Sequence, residues 1–208
     1  MRYEKKLLIR GKDEYLTEVQ ILTLPFSFFK PFPDRRIHNV YFDTIDYQCY
    51  QDNKAGNSDR TKIRFRWYDD YQQRGNWELK IKQGLVSKKE TIPSACTTPA
   101  LKALKNEIGN IDLGFKIDLF PTLYNTYARK YFESFDRKIR ITIDFDLKFC
   151  HPEAILDASL LAPLPHILME IKYDPSESAI VEQLNNYISL TPSRHSKYII
   201  GMDTIGRQ

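Results

Sequence analysis

Hydrophobic and polar positions alternate with a period of two along much of the chain, most cleanly in TKIRFRWYDD at 61–70. There Ile63, Phe65 and Trp67 fall on one side and Lys62, Arg64 and Arg66 on the other, the pattern of a half-buried β-strand. The alternation recurs in RYEKKLLI (2–9), which Gly11 ends, in HNVYFDT (38–44) and in ILMEIKY (167–173). In NWELKIKQ (76–83), Glu78, Lys80 and Lys82 oppose Trp77, Leu79 and Ile81. YNTYARKYFES (124–134) and RKIRITIDFDLKF (137–149) form a predicted hairpin, in which Arg140, Thr142, Asp144 and Asp146 oppose Ile141, Ile143, Phe145 and Leu147.

Helical spacing is confined to three segments. One spans 13–23, with Glu14, Glu18 and Gln20 set against Leu16, Val19 and Leu22, and Pro25 lies just beyond it. A second opens on a Thr98 cap with Pro99 at the first helical position and closes at Gly109. The third covers SESAIVEQLNNYIS (176–189), and the stretch at 51–60 reads as a polar loop rich in Asp, Asn and Gly. Strands outnumber helices and follow one another in hairpin order. The predicted class is therefore α+β, with an antiparallel sheet or β-barrel flanked by a few helices, in one domain spanning 1–208.

Composition narrows this picture. With 208 residues, 42% hydrophobic and 28% charged, the chain has the make-up of a globular domain. No apolar run approaches the ~18 residues of a membrane span, and MRYEKKLLIRGK lacks the apolar core of a signal peptide. Cys49, Cys96 and Cys150 are widely spaced and form no CxxC pair, which fits free thiols in a reducing cytoplasm and not a structural zinc. The net charge of +4 is too modest to mark a nucleic-acid binder.

Where the cations sit is more informative. The polar faces of the predicted strands hold Arg2, Glu4 and Lys6; Lys62, Arg64 and Arg66; Glu78, Lys80 and Lys82; Arg129; Arg140, Asp144 and Asp146; and Glu170 and Lys172. A single such strand reads as a solvated face, but five or six together carry far more ionisable side chains than an exposed sheet normally uses. If helices cover the apolar face, a curling sheet turns the charged faces inward. Two like charges ~6 Å apart at an effective dielectric of ~20 repel by roughly 3 kcal/mol, so such a set requires water and anions between its members. Arginine forks and lysine ammonium groups suit phosphate oxygens, and the interspersed carboxylates suit Mg²⁺ or Mn²⁺. Asp144 and Asp146 read either as metal ligands or as ion-pair partners that keep Arg140 and its neighbours extended. Tyr41 and Tyr50 could stack on a base, though packing is the commoner use of such rings. His38, His151, His166 and His195 show no ligand spacing, and the cysteines show no nucleophile arrangement.

The segments RYEKK (2–6), VYFDTIDYQCY (40–50), KIRFRWY (62–68), WELKIK (77–82), YARKYF (127–132), IRITIDFD (139–146), LMEIKY (168–173) and SKYIIG (196–201) together resemble the triphosphate tunnel metalloenzymes of the CYTH-like superfamily. Within these, the chain resembles the VTC domain of polyphosphate polymerases. The resemblance implies a β-barrel tunnel with a charged lumen. Lys6, Arg64, Arg66, Lys80, Lys82, Arg129, Arg140, Lys172 and Lys197 would bind phosphate, with Arg64, Arg66 and Lys80 at the reacting group. Glu170 would be the principal metal ligand and Glu4 a contributor, for Mn²⁺ or Mg²⁺. The implied reaction transfers the γ-phosphate of ATP onto a polyphosphate chain. Where the hydrolase branch carries Glu-x-Glu-x-Lys, this chain has Arg2-x-Glu4-x-Lys6, which favours the polymerase. The chain shows neither a regulatory SPX domain nor a membrane segment, which fits a catalytic subunit without its channel or a binding module without turnover; two alternatives to the polymerase stay open. One is hydrolysis of tripolyphosphate or nucleoside triphosphates. The other is a non-catalytic polyphosphate-binding module, cytoplasmic and held at the membrane by a protein partner.

Overall fold

In the computed structural model the chain follows the predicted alternation closely. It describes residues 3–10, 13–69, 74–84, 86–96, 100–114, 117–188, 191–192 and 196–206; Arg2, the Thr98–Pro99 helix start and His195 lie outside them. The elements are β1 (Tyr3–Ile9), α1 (Glu14–Leu22), β2 (Phe28–Phe29), β3 (Arg35–Asp43), α2 (Gln48–Ala55), β4 (Arg60–Tyr68), β5 (Asn76–Gln83), β6 (Val86–Pro93), α3 (Leu101–Ile108), β7 (Phe120–Ser134), β8 (Ile139–Cys150), β9 (Ala162–Leu164), β10 (Ile167–Tyr173), α4 (Ser178–Gln183), β11 (Thr191–Pro192) and α5 (Lys197–Ile205). The class is α+β, mostly antiparallel sheet. Its hydrogen-bonded order runs from β11 through β1, β10, β8, β7, β3, β4 and β5 to β6. No pairing joins β11 to β6 among the described residues, so the expected barrel is not closed by hydrogen bonds.

The chain divides into two compact units. The first comprises 1–36, 127–147 and 163–194. Its core packs α1 and α4 on one face of the sheet, with Leu7 and Ile9 from β1, Ile139, Ile141 and Ile143 from β8, and Met169 and Ile171 from β10. Asp13 caps α1 by accepting from the Leu16 amide at 2.6 Å. The sequence sets Leu16, Val19 and Leu22 as the apolar stripe of this helix, yet all three are exposed, and Thr17 and Ile21 are buried instead. The reason is electrostatic anchoring. Glu18 lies between Lys130 (2.5 Å) and Lys30 (2.9 Å), which fixes the helix by its polar side.

The second unit comprises 37–126, 148–162 and 195–208. Val40, Phe42, Ile63, Phe65, Trp67, Trp77 and Leu79 from β3, β4 and β5 pack against Leu104 and Ile108 of α3. Glu107 secures α3, accepting from Trp77 Nε1 at 2.8 Å and from the Ala95 amide at 2.9 Å. Part of the expected polar loop at 51–60 is helical, as α2. Asp43 organises its start, accepting from the Cys49 and Tyr50 amides at 2.8 Å each. This capping acid lies outside the helix's own sequence, so helical periodicity did not reveal it. No helix among the described residues is long and apolar enough to cross a membrane.

Candidate functional site

In the second unit, the strand face opposite the core carries the cations in cross-strand rows. Antiparallel register sets Tyr41 beside Arg64 and Arg64 beside Glu78; the next rows are Lys62–Lys80–Lys89 and Arg60–Lys82. Directly opposed residues share a face with their Cβ atoms about 5 Å apart. Glu78 is the hub of the first row. Its Oε2 accepts from Arg64 Nε (3.0 Å) and Nη2 (2.5 Å), and its Oε1 accepts from Arg66 Nη1 (3.2 Å). Arg66 is buried, and its Nε donates to Asn39 Oδ1 at 2.8 Å, while Asn39 Nδ2 donates to Asn125 Oδ1 at 2.7 Å. Asn125 Nδ2 is buried with no hydrogen-bond partner among the described residues. Burial pushes the Glu78 carboxyl up, but the guanidinium groups of Arg64 and then Arg66 outweigh it and hold its pKa at about 2. The acid is therefore ionised throughout the working pH range.

The same unit places Lys197 at the start of α5. The next residue, Tyr198, donates to Asp43 Oδ2 at 2.5 Å, and its ring stacks on Tyr41 at 5.0 Å between centroids. Asp43 thus ties the N-terminus of α2 to α5. Burial and the neighbouring Asp43 carboxylate raise the Tyr198 phenol far above its usual range, so it remains a donor. Tyr41 is buried beneath Arg64, and Tyr50 donates to Asp203, so both rings are used in packing and anchoring.

The first unit holds its own charged face. Across β1, β10 and β8, one row is Lys6–Glu170–Thr142 and the next Glu4–Lys172–Arg140. Lys6 pairs with Glu4 at 2.7 Å, Lys172 with Glu170 at 2.8 Å and Arg140 with Glu133 at 2.7 Å. Arg129 and Asp144 form a buried side-on fork, Nε to Oδ1 at 2.5 Å and Nη2 to Oδ2 at 2.8 Å. Burial alone would lower the Arg129 pKa, but the Asp144 carboxylate more than reverses this, so the guanidinium stays charged. Asp144 therefore serves Arg129, and Arg140 takes Glu133 instead. Asp146 has left the row. Its φ is +48°, and its carboxylate meets Arg36 at 2.8 Å.

The donor set bears on a metal. Among the described residues no group of three or more Asp, Glu, His or Cys side chains could enclose an ion. Glu170 is half-buried, and across the register from it Thr142 Oγ1 is buried with no partner among the described residues. That arrangement fits an ion held by one or two carboxylates and completed by substrate oxygens, the usual manner for Mg²⁺, and not an all-protein cage. His38 is structural: it meets Tyr124 Oη at 2.7 Å and stacks on Trp67. Cys49, Cys96 and Cys150 are free thiols, all raised in pKa chiefly by burial. The sequence reading passed over Glu78 as a site residue, although its place two residues before Lys80 puts both on one face. It also passed over Asn39, Asn125 and Asp43, whose partners are distant in the chain.

Comparison with known proteins places these features in a family. Three solved structures share the fold. A candidate adenylate cyclase from Vibrio parahaemolyticus has 15% identity and a TM-score of 0.55, covering 96% of each chain. The PH1819 protein from Pyrococcus horikoshii has 12% identity and a TM-score of 0.52, covering 97% of this chain and 99% of its own. A candidate adenylyl cyclase from Hippeastrum, described as having a dominant triphosphatase activity, has 15% identity and a TM-score of 0.52, covering 99% of this chain and 97% of its own. A comparison with curated protein sequences returned no match. The family model of the VTC domain matches residues 1–205, and the chain belongs to the VTC domain family.

Proposed function

We propose that this protein is a metal-dependent phosphotransferase that passes the γ-phosphate of ATP to a polyphosphate chain. The observation that carries this reading is the row Lys62–Lys80–Lys89, three cations side by side across three strands. Lysine ammonium groups repeated across neighbouring strands offer point charges along a line, which suits the successive phosphates of a linear polyanion. Family membership supports a triphosphate-type substrate and a divalent metal.

Phosphoryl transfer depends mainly on positioning and charge stabilisation. Arg64 and Arg66 would bind non-bridging oxygens of the transferred group as rigid forks. Lys80 would follow the charge as it shifts to the leaving oxygen. In the same unit Lys82 and Lys197 would bind further phosphates, and in the first unit Lys6, Arg129, Arg140 and Lys172 are the phosphate-binding candidates. Glu170, with Glu4 contributing, would hold Mn²⁺ or Mg²⁺, which when bound neutralises charge on adjoining phosphates.

The test is incubation with ATP and Mn²⁺ or Mg²⁺, resolving ADP, orthophosphate and polymer. ADP and polymer are expected, and both should disappear in Arg64→Ala. Orthophosphate without polymer would support hydrolysis instead, a reading favoured by the triphosphatase activity named for the Hippeastrum protein. Tight tripolyphosphate binding with no turnover in either metal would leave a binding module.

A further inference from the structure

Arg66 is held from two sides. Its Nη1 donates to Glu78 Oε1 at 3.2 Å, its Nε donates to Asn39 Oδ1 at 2.8 Å, and its side chain is only 8% exposed. Asn39 lies directly opposite Arg66 in the β3–β4 register and is itself buried. The polarity of the bonds beyond it is forced. A guanidinium has no acceptor, so Asn39 must turn its carbonyl oxygen to Arg66 and its amide nitrogen away. That nitrogen donates at 2.7 Å to Oδ1 of Asn125 on β7, so Asn125 in turn must offer its oxygen. The series ends on Asn125 Nδ2, a buried donor with no partner among the described residues. A buried donor left unpaired disfavours the folded state, so the two amides contribute more to orientation than to stability. With Nε and Nη1 both fixed, the plane of the Arg66 fork is fixed as well. All four residues belong to the second unit.

We infer that Asn39 and Asn125 are positioning residues for Arg66: Asn125 keeps the Asn39 amide in the one orientation that accepts from Arg66 Nε, and Asn39 keeps the guanidinium plane set for phosphate oxygens. Without the Asn125 acceptor the Asn39 amide is free to turn, and a turned amide puts its nitrogen against Arg66 Nε, donor against donor. Neither amide carries a charge, so neither attracts a polyanion by itself, and their effect passes through Arg66. The inference rests on the phosphate-chain reading given above.

The experiment is a double-mutant cycle read by calorimetric titration of inorganic polyphosphate, in EDTA, into the wild-type chain, Asn125→Val, Arg66→Lys and the double variant. Valine suits a strand and accepts no hydrogen bond. Lysine keeps the charge of Arg66 but has neither the fork nor the Nε–H that Asn39 holds. A polymer is used because its many contacts keep binding measurable after one is weakened. Asn125→Val is expected to weaken binding about tenfold where Arg66 is present. Where Arg66 is already lysine, the same change should weaken it by less than about twofold. Asn125→Ala also removes the acceptor, and it serves if circular dichroism shows that the valine variant does not fold. A role confined to packing weakens binding by the same factor in both backgrounds; equal factors, or no weakening in either, overturn the inference. If the wild type binds no polyphosphate, the phosphate-chain reading itself fails, a result distinct from equal factors.

Discussion

Replacing Asp144 by Asn tests whether this acid is an ion-pair partner or a metal ligand. Asp144 is 1% exposed and accepts both bonds of the Arg129 fork. The amide keeps the volume but removes the charge, which leaves Arg129 as a cation in a buried setting. Removing one partner of a buried pair typically costs about 3–5 kcal/mol. Glu170 also acts electrostatically on Arg129 and offsets part of that loss, so about 3 kcal/mol is expected. For a chain of this size that corresponds to a fall in Tm of about 6–12 °C. Urea and thermal unfolding of the metal-free protein provide the assay. The double variant Arg129→Met with Asp144→Leu should recover much of the loss, because an apolar pair leaves no uncompensated charge. The reasoning is refuted if Asp144→Asn unfolds within about 0.5 kcal/mol of the wild type without metal but shifts the metal requirement.

Three further outcomes follow from packing and ionisation. Gly201→Ala would put a Cβ 2.5 Å from both Leu123 Cδ2 and Phe149 Cδ1; a loss of about 1–3 kcal/mol is expected in chemical denaturation. Glu78 has a folded pKa of about 2 against an ordinary 4.5, so its stabilisation is full above pH 4.5 and is lost as pH falls through 2. Glu78→Gln should accordingly flatten the acid limb of stability over that interval, by roughly 3 kcal/mol in total. Burial raises the Cys150 thiol to about 11 and the Cys49 thiol further, so a thiol reagent at pH 8 should modify neither until the protein unfolds.

The strands and their faces were legible because period-two alternation is local. A residue's side of a strand depends only on its neighbours along the chain, which is why Ile63, Phe65 and Trp67 could be set against Lys62, Arg64 and Arg66 before any pairing was known. The helices were less legible. In α1 the ion pairs of Glu18 override a weak apolar stripe, and α2 depends on a cap from Asp43 in another element. The partner of Asp146, Arg36, lies 110 residues away in the chain, so the β8 pattern could not reveal it.

The sequence by itself determined the α+β class, the family and the strands that bear cations, since each of these is written in local pattern. Only the tertiary structure decided which carboxylate accompanies which cation: Glu78 with Arg64 and Arg66, Asp144 with Arg129, Glu133 with Arg140. Charge pairing is set by cross-strand register and side-chain reach between residues 7 to 15 apart in the chain, and Coulomb attraction at hydrogen-bond distance exists only once the strands are aligned.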